Sequence, residues 1–138
     1  MPGTEREVVN TVGAPQPLGA YSQAIRTRAG HLLYVAGQVG LDQEGNLAGD
    51  GGIAAQTSQT YQNIGAILEA AGASFSDVVE FTTYVVGRET VPAFMAARAE
   101  IFPTLFPNGD YPPNTLLVIS GLVREEFLVE IKAVAALP

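Results

Sequence analysis

A chain of 138 residues fits the length of one domain, 1–138, and is long enough to enclose a hydrophobic core. With 47% hydrophobic against 15% charged residues, its composition is globular and is the opposite of what disorder requires. Fourteen acids against seven bases give a net charge of −7, and the bases (Lys132 and six scattered arginines) form no stripe, which excludes a phosphate-tracking nucleic-acid surface.

The opening "MPGTEREVVN" lacks the basic-then-apolar pattern of an export signal, and no run of 18 apolar residues suggests a membrane span. The absence of cysteine removes disulfides, thiol nucleophiles and thiolate metal sites. The expectation is a cytoplasmic protein with no membrane and no nucleic-acid partner.

In chain order, a short strand is expected at 7–10. The turn-rich lead-in "GAPQPLGAY" (13–21) follows, then a strand at 22–28. Ala29-Gly30 reads as a tight turn into "HLLYVAGQV" (31–39), so 22–39 is expected to be a hairpin. Arg26 and Arg28 share a face of the first of these strands and read as a solvated edge. A Gly- and Asp-rich loop spans 41–52. Ile53, Thr57, Tyr61, Ile64, Leu68 and Ala71 then recur at helical steps, with Asp50 as the expected cap and Gly72 as the left-handed residue that ends the helix. "DVVEFTTYVVG" (77–87) is β-branched and aromatic and reads as a strand. Thr90 and Pro92 open a second helix carrying Val91, Phe94, Met95, Arg98, Ile101 and Phe102 at helical steps, which Pro103 is expected to end. Strands at 114–120 and 127–136 complete an α+β order, β-β-α-β-α-β-β, with both helices on one face of the sheet.

The strands carry large apolar groups on both faces. On 77–87, Val79, Phe81, Thr83 and Val85 oppose Val78, Glu80, Thr82, Tyr84 and Val86. On 114–120, Thr115, Leu117 and Ile119 oppose Asn114, Leu116, Val118 and Ser120. A sheet with one wet face alternates apolar and polar instead. Two helices cannot cover two faces, and each large apolar group left in water forfeits ~1.5–3 kcal/mol. A homo-oligomer that buries the second face is therefore expected. On the last strand Val129, Ile131, Ala133 and Ala135 should meet the helices, which sends Glu130 and Lys132 toward the subunit interface. By spacing alone these two read as an ion pair, within the strand or between subunits.

The segments "LGAYSQAI" (18–25), "YVAGQVG" (34–40), "ILEAAGASFSDVVEFTTYV" (67–85) and "PPNTLLVISGLVREEFLVEIKAVA" (112–135) resemble the Rid family, the reactive intermediate deaminases, also named L-PSP endoribonuclease-like proteins. The likeness runs in order along nearly the whole chain. It implies a chorismate-mutase-like fold and a homotrimer with ligand clefts between subunits. It also implies cofactor-independent hydrolysis of small imines or enamines to 2-keto acids and ammonia. In the deaminases an arginine at the start of the penultimate strand clamps the substrate carboxylate, and Asn114 stands at that position here. A neutral amide offers neither the charge nor the two-pronged donor of arginine. By the same resemblance Tyr21, Gly37, Gln38, Asn114, Leu116 and Glu130 are the candidate ligand-binding residues. Glu130 is the catalytic candidate, the carboxylate that holds the attacking water. Ala36, Leu116 and Met95 replace a serine, a cysteine and an asparagine, which makes the cleft more apolar. Lys132 departs from the usual acidic or neutral residue and could restore a cation.

His31 is the single histidine; it has no cluster of ligands around it, and no metal is expected. One histidine in a chain of this charge also argues against acid–base RNA cleavage, and no serine sits in a nucleophile elbow. Three functions stay open: hydrolysis of a small imine or related electrophile, non-catalytic binding of a small metabolite, and a regulatory protein-binding trimer.

Overall fold

The computed structural model describes residues 5–138. Among these, β1 (Glu5–Val9) and β2 (Ala24–Arg28) form a two-stranded antiparallel ribbon. Four further strands form the main sheet: β3 (His31–Val39), β4 (Val78–Val86), β5 (Asn114–Ile119) and β6 (Val129–Leu137), in the order β3-β6-β4-β5. The β3–β6 and β4–β6 pairs are antiparallel and β4–β5 is parallel. A parallel neighbour needs a crossover, supplied here by α2 (Val91–Leu105). Helix α1 (Ile53–Ala70) joins β3 to β4. This is the expected α+β fold with a mixed sheet and both helices packed on one face.

The expected hairpin over 22–39 does not form. The Gly30 amide donates to Leu137 O, which ties the turn to the end of β6, while β2 takes β1 as its partner. Arg6 fastens the ribbon to the main sheet, donating to Val78 O at 3.1 Å and Asp110 O at 2.9 Å. Arg26 and Arg28 pair with Glu7 and Glu5 on the exposed surface of the ribbon, the solvated edge that the sequence suggested.

The core lies between the helices and the inner face of the sheet. Val129, Ile131, Ala133 and Ala135 are buried on β6 as expected. On β4 a bulge between Val78 and Glu80 resets the alternation, so Val78 rather than Val79 joins Phe81, Thr83 and Val85 in the core. Tyr61, Phe81, Phe102 and Phe106 stack edge to face, with Tyr61–Phe102 centroids 5.3 Å apart and Phe102–Phe106 centroids 5.0 Å apart.

The helix ends depart from the sequence reading in two places. Asp50 does not cap α1; Gly52 holds the cap position, and Asp50 Oδ1 accepts the Gly52 amide in a two-residue turn. Pro103 does not end α2, which continues to Leu105. The hydrogen bond that the proline forfeits would have gone to the carbonyl of Ala99, an exposed residue, where water can replace it. Gly72 does take the left-handed conformation after α1, with φ 75°.

The outer face of the sheet carries large apolar groups in the open: Tyr34 is 73% exposed, Leu32 53% and Leu117 38%. The two-faced pattern read from the strands is thus present in the folded chain.

Candidate functional site

Asn114 opens β5 directly opposite Phe81 of β4, and Leu116 lies opposite Thr83. Both partners belong to the inner face, so Asn114 and Leu116 project toward the helices. The Thr83 hydroxyl donates to Asn114 Oδ1 at 2.8 Å. That bond fixes the amide and leaves its N–H donors for the space beside it. The lead-in then folds over the strand start. Ser22 donates to Pro112 O, and the Leu18 amide donates to the Tyr21 phenolic oxygen at 3.0 Å, so the tyrosine ring is pinned to its own turn. Leu18, Tyr21, Met95, Arg98, Asn114 and Leu116 together line a cavity of about 260 Å³.

Glu130 lies elsewhere. It pairs with Tyr84 on one side and Val39 on the other, on the outer face of the sheet. A register shift in β3 between Val35 and Gln38 brings Gly37 against it. A Cβ built on Gly37 would overlap the carboxylate and stand 2.7 Å from Glu130 Cδ, so only glycine fits there without moving Glu130. Gln38 is opposite Ile131, and its side-chain amide turns back to Ala36 O. Among the described residues the Glu130 carboxylate has no hydrogen-bond or ion-pair partner, and the ion pairs Arg26–Glu7, Arg28–Glu5 and Arg124–Glu126 do not include it. The expected Glu130–Lys132 pair is therefore absent within the chain. The two residues lie side by side on the outer face, with Lys132 exposed opposite Thr82.

The six residues singled out from the sequence are thus divided between opposite faces of one sheet. Tyr21, Asn114 and Leu116 share the inner cavity, Gly37 and Glu130 meet on the outer side, and Gln38, paired with inward Ile131, falls on the inner face of edge strand β3 outside that cavity. Two cavity residues carried no expectation of ligand contact: Leu18, an apolar residue in a glycine turn, and Arg98. The signal for Arg98 was visible as a charge midway between Phe94 and Phe102 on the buried stripe of α2. Its side chain is 3% exposed, and Cζ lies 5.3 Å from the Phe94 ring centroid and 5.8 Å from that of Phe102. Burial lowers its pKa from the ordinary arginine value, an effect that Tyr61 and Tyr21 partly offset.

The chain matches the family described as Endoribonuclease L-PSP over residues 11–137. It is 38% identical over 130 residues to a RutC family protein of Pyrococcus horikoshii, covering 94% of this chain and 97% of that one. It is 34% identical over 130 residues to the 2-iminobutanoate/2-iminopropanoate deaminase of Mus musculus, covering 94% and 90%. A solved structure of a Rid family protein from Yersinia pestis superposes with a TM-score of 0.84 at 32% identity, covering 95% of this chain and 98% of that one. The strand order, the helices on one face and the sequence match along nearly the whole length agree: the chain belongs to the Rid family, the Endoribonuclease L-PSP group.

Proposed function

We propose that this chain, acting as a single domain, assembles into a homotrimer whose intersubunit clefts bind a small imine or enamine and hydrolyse it without a cofactor. The observation that carries this reading is the separation of the site residues. Tyr21, Asn114 and Leu116 open on one face and Gly37 and Glu130 on the other, so one chain holds two halves of a site. A neighbouring copy seated on the apolar outer face would bring its own cavity beside Glu130. Leu32, Tyr34 and Leu117 supply the contact that such packing needs.

In the cleft, the unpaired Glu130 carboxylate holds a water and accepts its proton as the oxygen adds to the imine carbon. The carboxyl returns that proton to nitrogen, and the hydroxyl proton of the resulting carbinolamine follows it to nitrogen as the C–N bond breaks, leaving a carbonyl product and ammonia. The mouse relative is named a 2-iminobutanoate/2-iminopropanoate deaminase, which supports an imine as the ligand class. The difference lies at Asn114, which binds Thr83 and carries no charge. The strand therefore does not clamp a carboxylate, and a charge-assisted bond of ~1.5–3 kcal/mol is missing from that side. Standard 2-imino acids are expected to be poor substrates in consequence.

The test is ammonia release from freshly generated 2-iminopropanoate, with native mass spectrometry of the same sample. The expected result is a trimer whose turnover is slow, rises in Asn114→Arg and vanishes in Glu130→Gln. Turnover indifferent to Glu130→Gln, or a monomer in dilute solution, refutes the proposal. Native turnover equal to that of Asn114→Arg refutes the role given to Asn114. Ligand affinity without turnover replaces hydrolysis with binding alone.

A further inference from the structure

The inner cavity is built to receive an anion, although its strand residue is neutral. Of its six lining residues none is acidic, and three bring polar hydrogen to it. The Asn114 amide keeps its N–H groups free because its oxygen is taken by Thr83. The Tyr21 oxygen accepts the Leu18 amide, which leaves its own O–H to donate. Arg98 brings the only formal charge. Its Nε is buried and has no hydrogen-bond partner, and none of the ion pairs among the described residues includes it.

A buried guanidinium without an acid partner is costly. The phenyl faces of Phe94 and Phe102 stabilise its charge but accept none of its N–H groups in their own plane. The chain also clears space for it. A Cβ on Gly19 would stand 3.0 Å from Arg98 Nη2 and 3.3 Å from Met95 Cε, so glycine in the lead-in lets the backbone close over the guanidinium. At neutral pH the group stays charged.

We infer that Arg98, projecting from α2, is the anion-recognition residue of this cavity, and that the ligand carries a small planar anionic group, such as a carboxylate, held between Arg98, Tyr21 and the Asn114 amide. This rests on the proposed reading of the cavity as part of the ligand cleft and adds the charge of what enters it. The cation reaches the cleft from the helix side, across from the strand. A ligand oriented this way presents a different edge to Glu130 than one clamped from β5. Asn114→Arg would then place two cations in one cavity.

The experiment compares benzoate with benzamide, which share a shape and differ by one charge, by calorimetric titration of the native protein, Arg98→Met and Arg98→Lys. The native protein is expected to prefer benzoate by roughly tenfold or more. Arg98→Met should erase the preference and leave benzamide affinity within about twofold, while Arg98→Lys, which keeps a cation but not the planar fork, retains part of it. Arg98→Met should also melt no lower than the native protein, since the orphaned Nε is gone. Should that variant fail to fold, the Arg98 Nε–H resonance of the native protein reads the same question. It shifts with benzoate and not with benzamide. A benzoate preference that survives Arg98→Met, or an Nε–H signal indifferent to benzoate, overturns the assignment and leaves the cleft reading standing. Failure of both probes to bind at millimolar concentration overturns the two together.

Discussion

Gln56 is a fully buried side chain near the start of α1, and its amide holds three backbone groups at once. It donates to Gly51 O at 2.8 Å and to Glu126 O at 2.9 Å, and its oxygen accepts the Leu128 amide at 2.9 Å. Gly40 packs so closely on the same residue that a Cβ there would lie 2.6 Å from Gln56 Cα. Gln56 therefore fixes the approach to β6 two residues before Glu130. Gln56→Leu keeps the volume and removes all three bonds. At ~1 kcal/mol net for each, the loss is ~3 kcal/mol, trimmed toward ~2 because Glu126 is exposed and water can reach its carbonyl. For a chain of this size that corresponds to a melting point lower by roughly 6–12 °C. Urea and thermal unfolding followed by circular dichroism measure both quantities. Gln62→Leu, at an exposed position on the same helix, is the control and should stay within about 0.5 kcal/mol. A Gln56→Leu protein as stable as the control would refute the claim that this amide anchors β6.

Three further outcomes are expected. Tyr34→Glu places a charge in the middle of the exposed apolar face and should shift the proposed trimer to monomer in multi-angle light scattering at micromolar concentration. Gly37→Ala must displace the Glu130 carboxylate, so turnover should fall by about a hundredfold or more while the melting point changes by only a few degrees. Burial raises the Tyr61 pKa well above the tyrosine range, against a smaller lowering by Arg98. The unfolded chain therefore releases that proton first, and the associated stability is intact below pH ~10 and declines above it by up to ~1.4 kcal/mol per pH unit. Denaturant titrations between pH 9 and 11 should show this slope, and Tyr61→Phe should flatten it.

The features legible in the sequence are those that alternation and helical spacing control. The buried row Val129, Ile131, Ala133, Ala135 follows from period alone, whereas on α1 period finds Thr57, Tyr61, Ile64 and Leu68 but not the buried Gln56 and Thr60, and Ala71 lies exposed beyond the helix. The misreadings have physical causes that neighbouring residues do not report. Gly30 marks a turn, yet whether the strands flanking it pair with each other depends on the competing edges offered by Glu5–Val9 and by β6. The exchange of Val78 for Val79 follows from a bulge, one extra residue whose presence shows only against the partner strand. Pro103 reads as a stop, but its cost depends on whether water reaches the carbonyl of Ala99, a matter of exposure.

The same alternation explains why the site is divided. Residues one apart on a strand face opposite ways, and paired positions on adjacent strands face the same way, so the parity of each residue assigns it to a face. Asn114 is paired with inward Phe81, and Glu130 with outward Tyr84; no change of rotamer can bring them to one side of the sheet. A reaction that uses both must borrow one of them from another copy. Arg98 escapes this restriction because a helix side chain above the sheet need not obey strand parity. It reaches the cavity from the layer that covers the inner face. A cation placed on α2 can therefore serve the Asn114 half of the proposed cleft without altering the register that positions Glu130. Strand residues do not have that freedom, since moving one by a single position turns it to the other face.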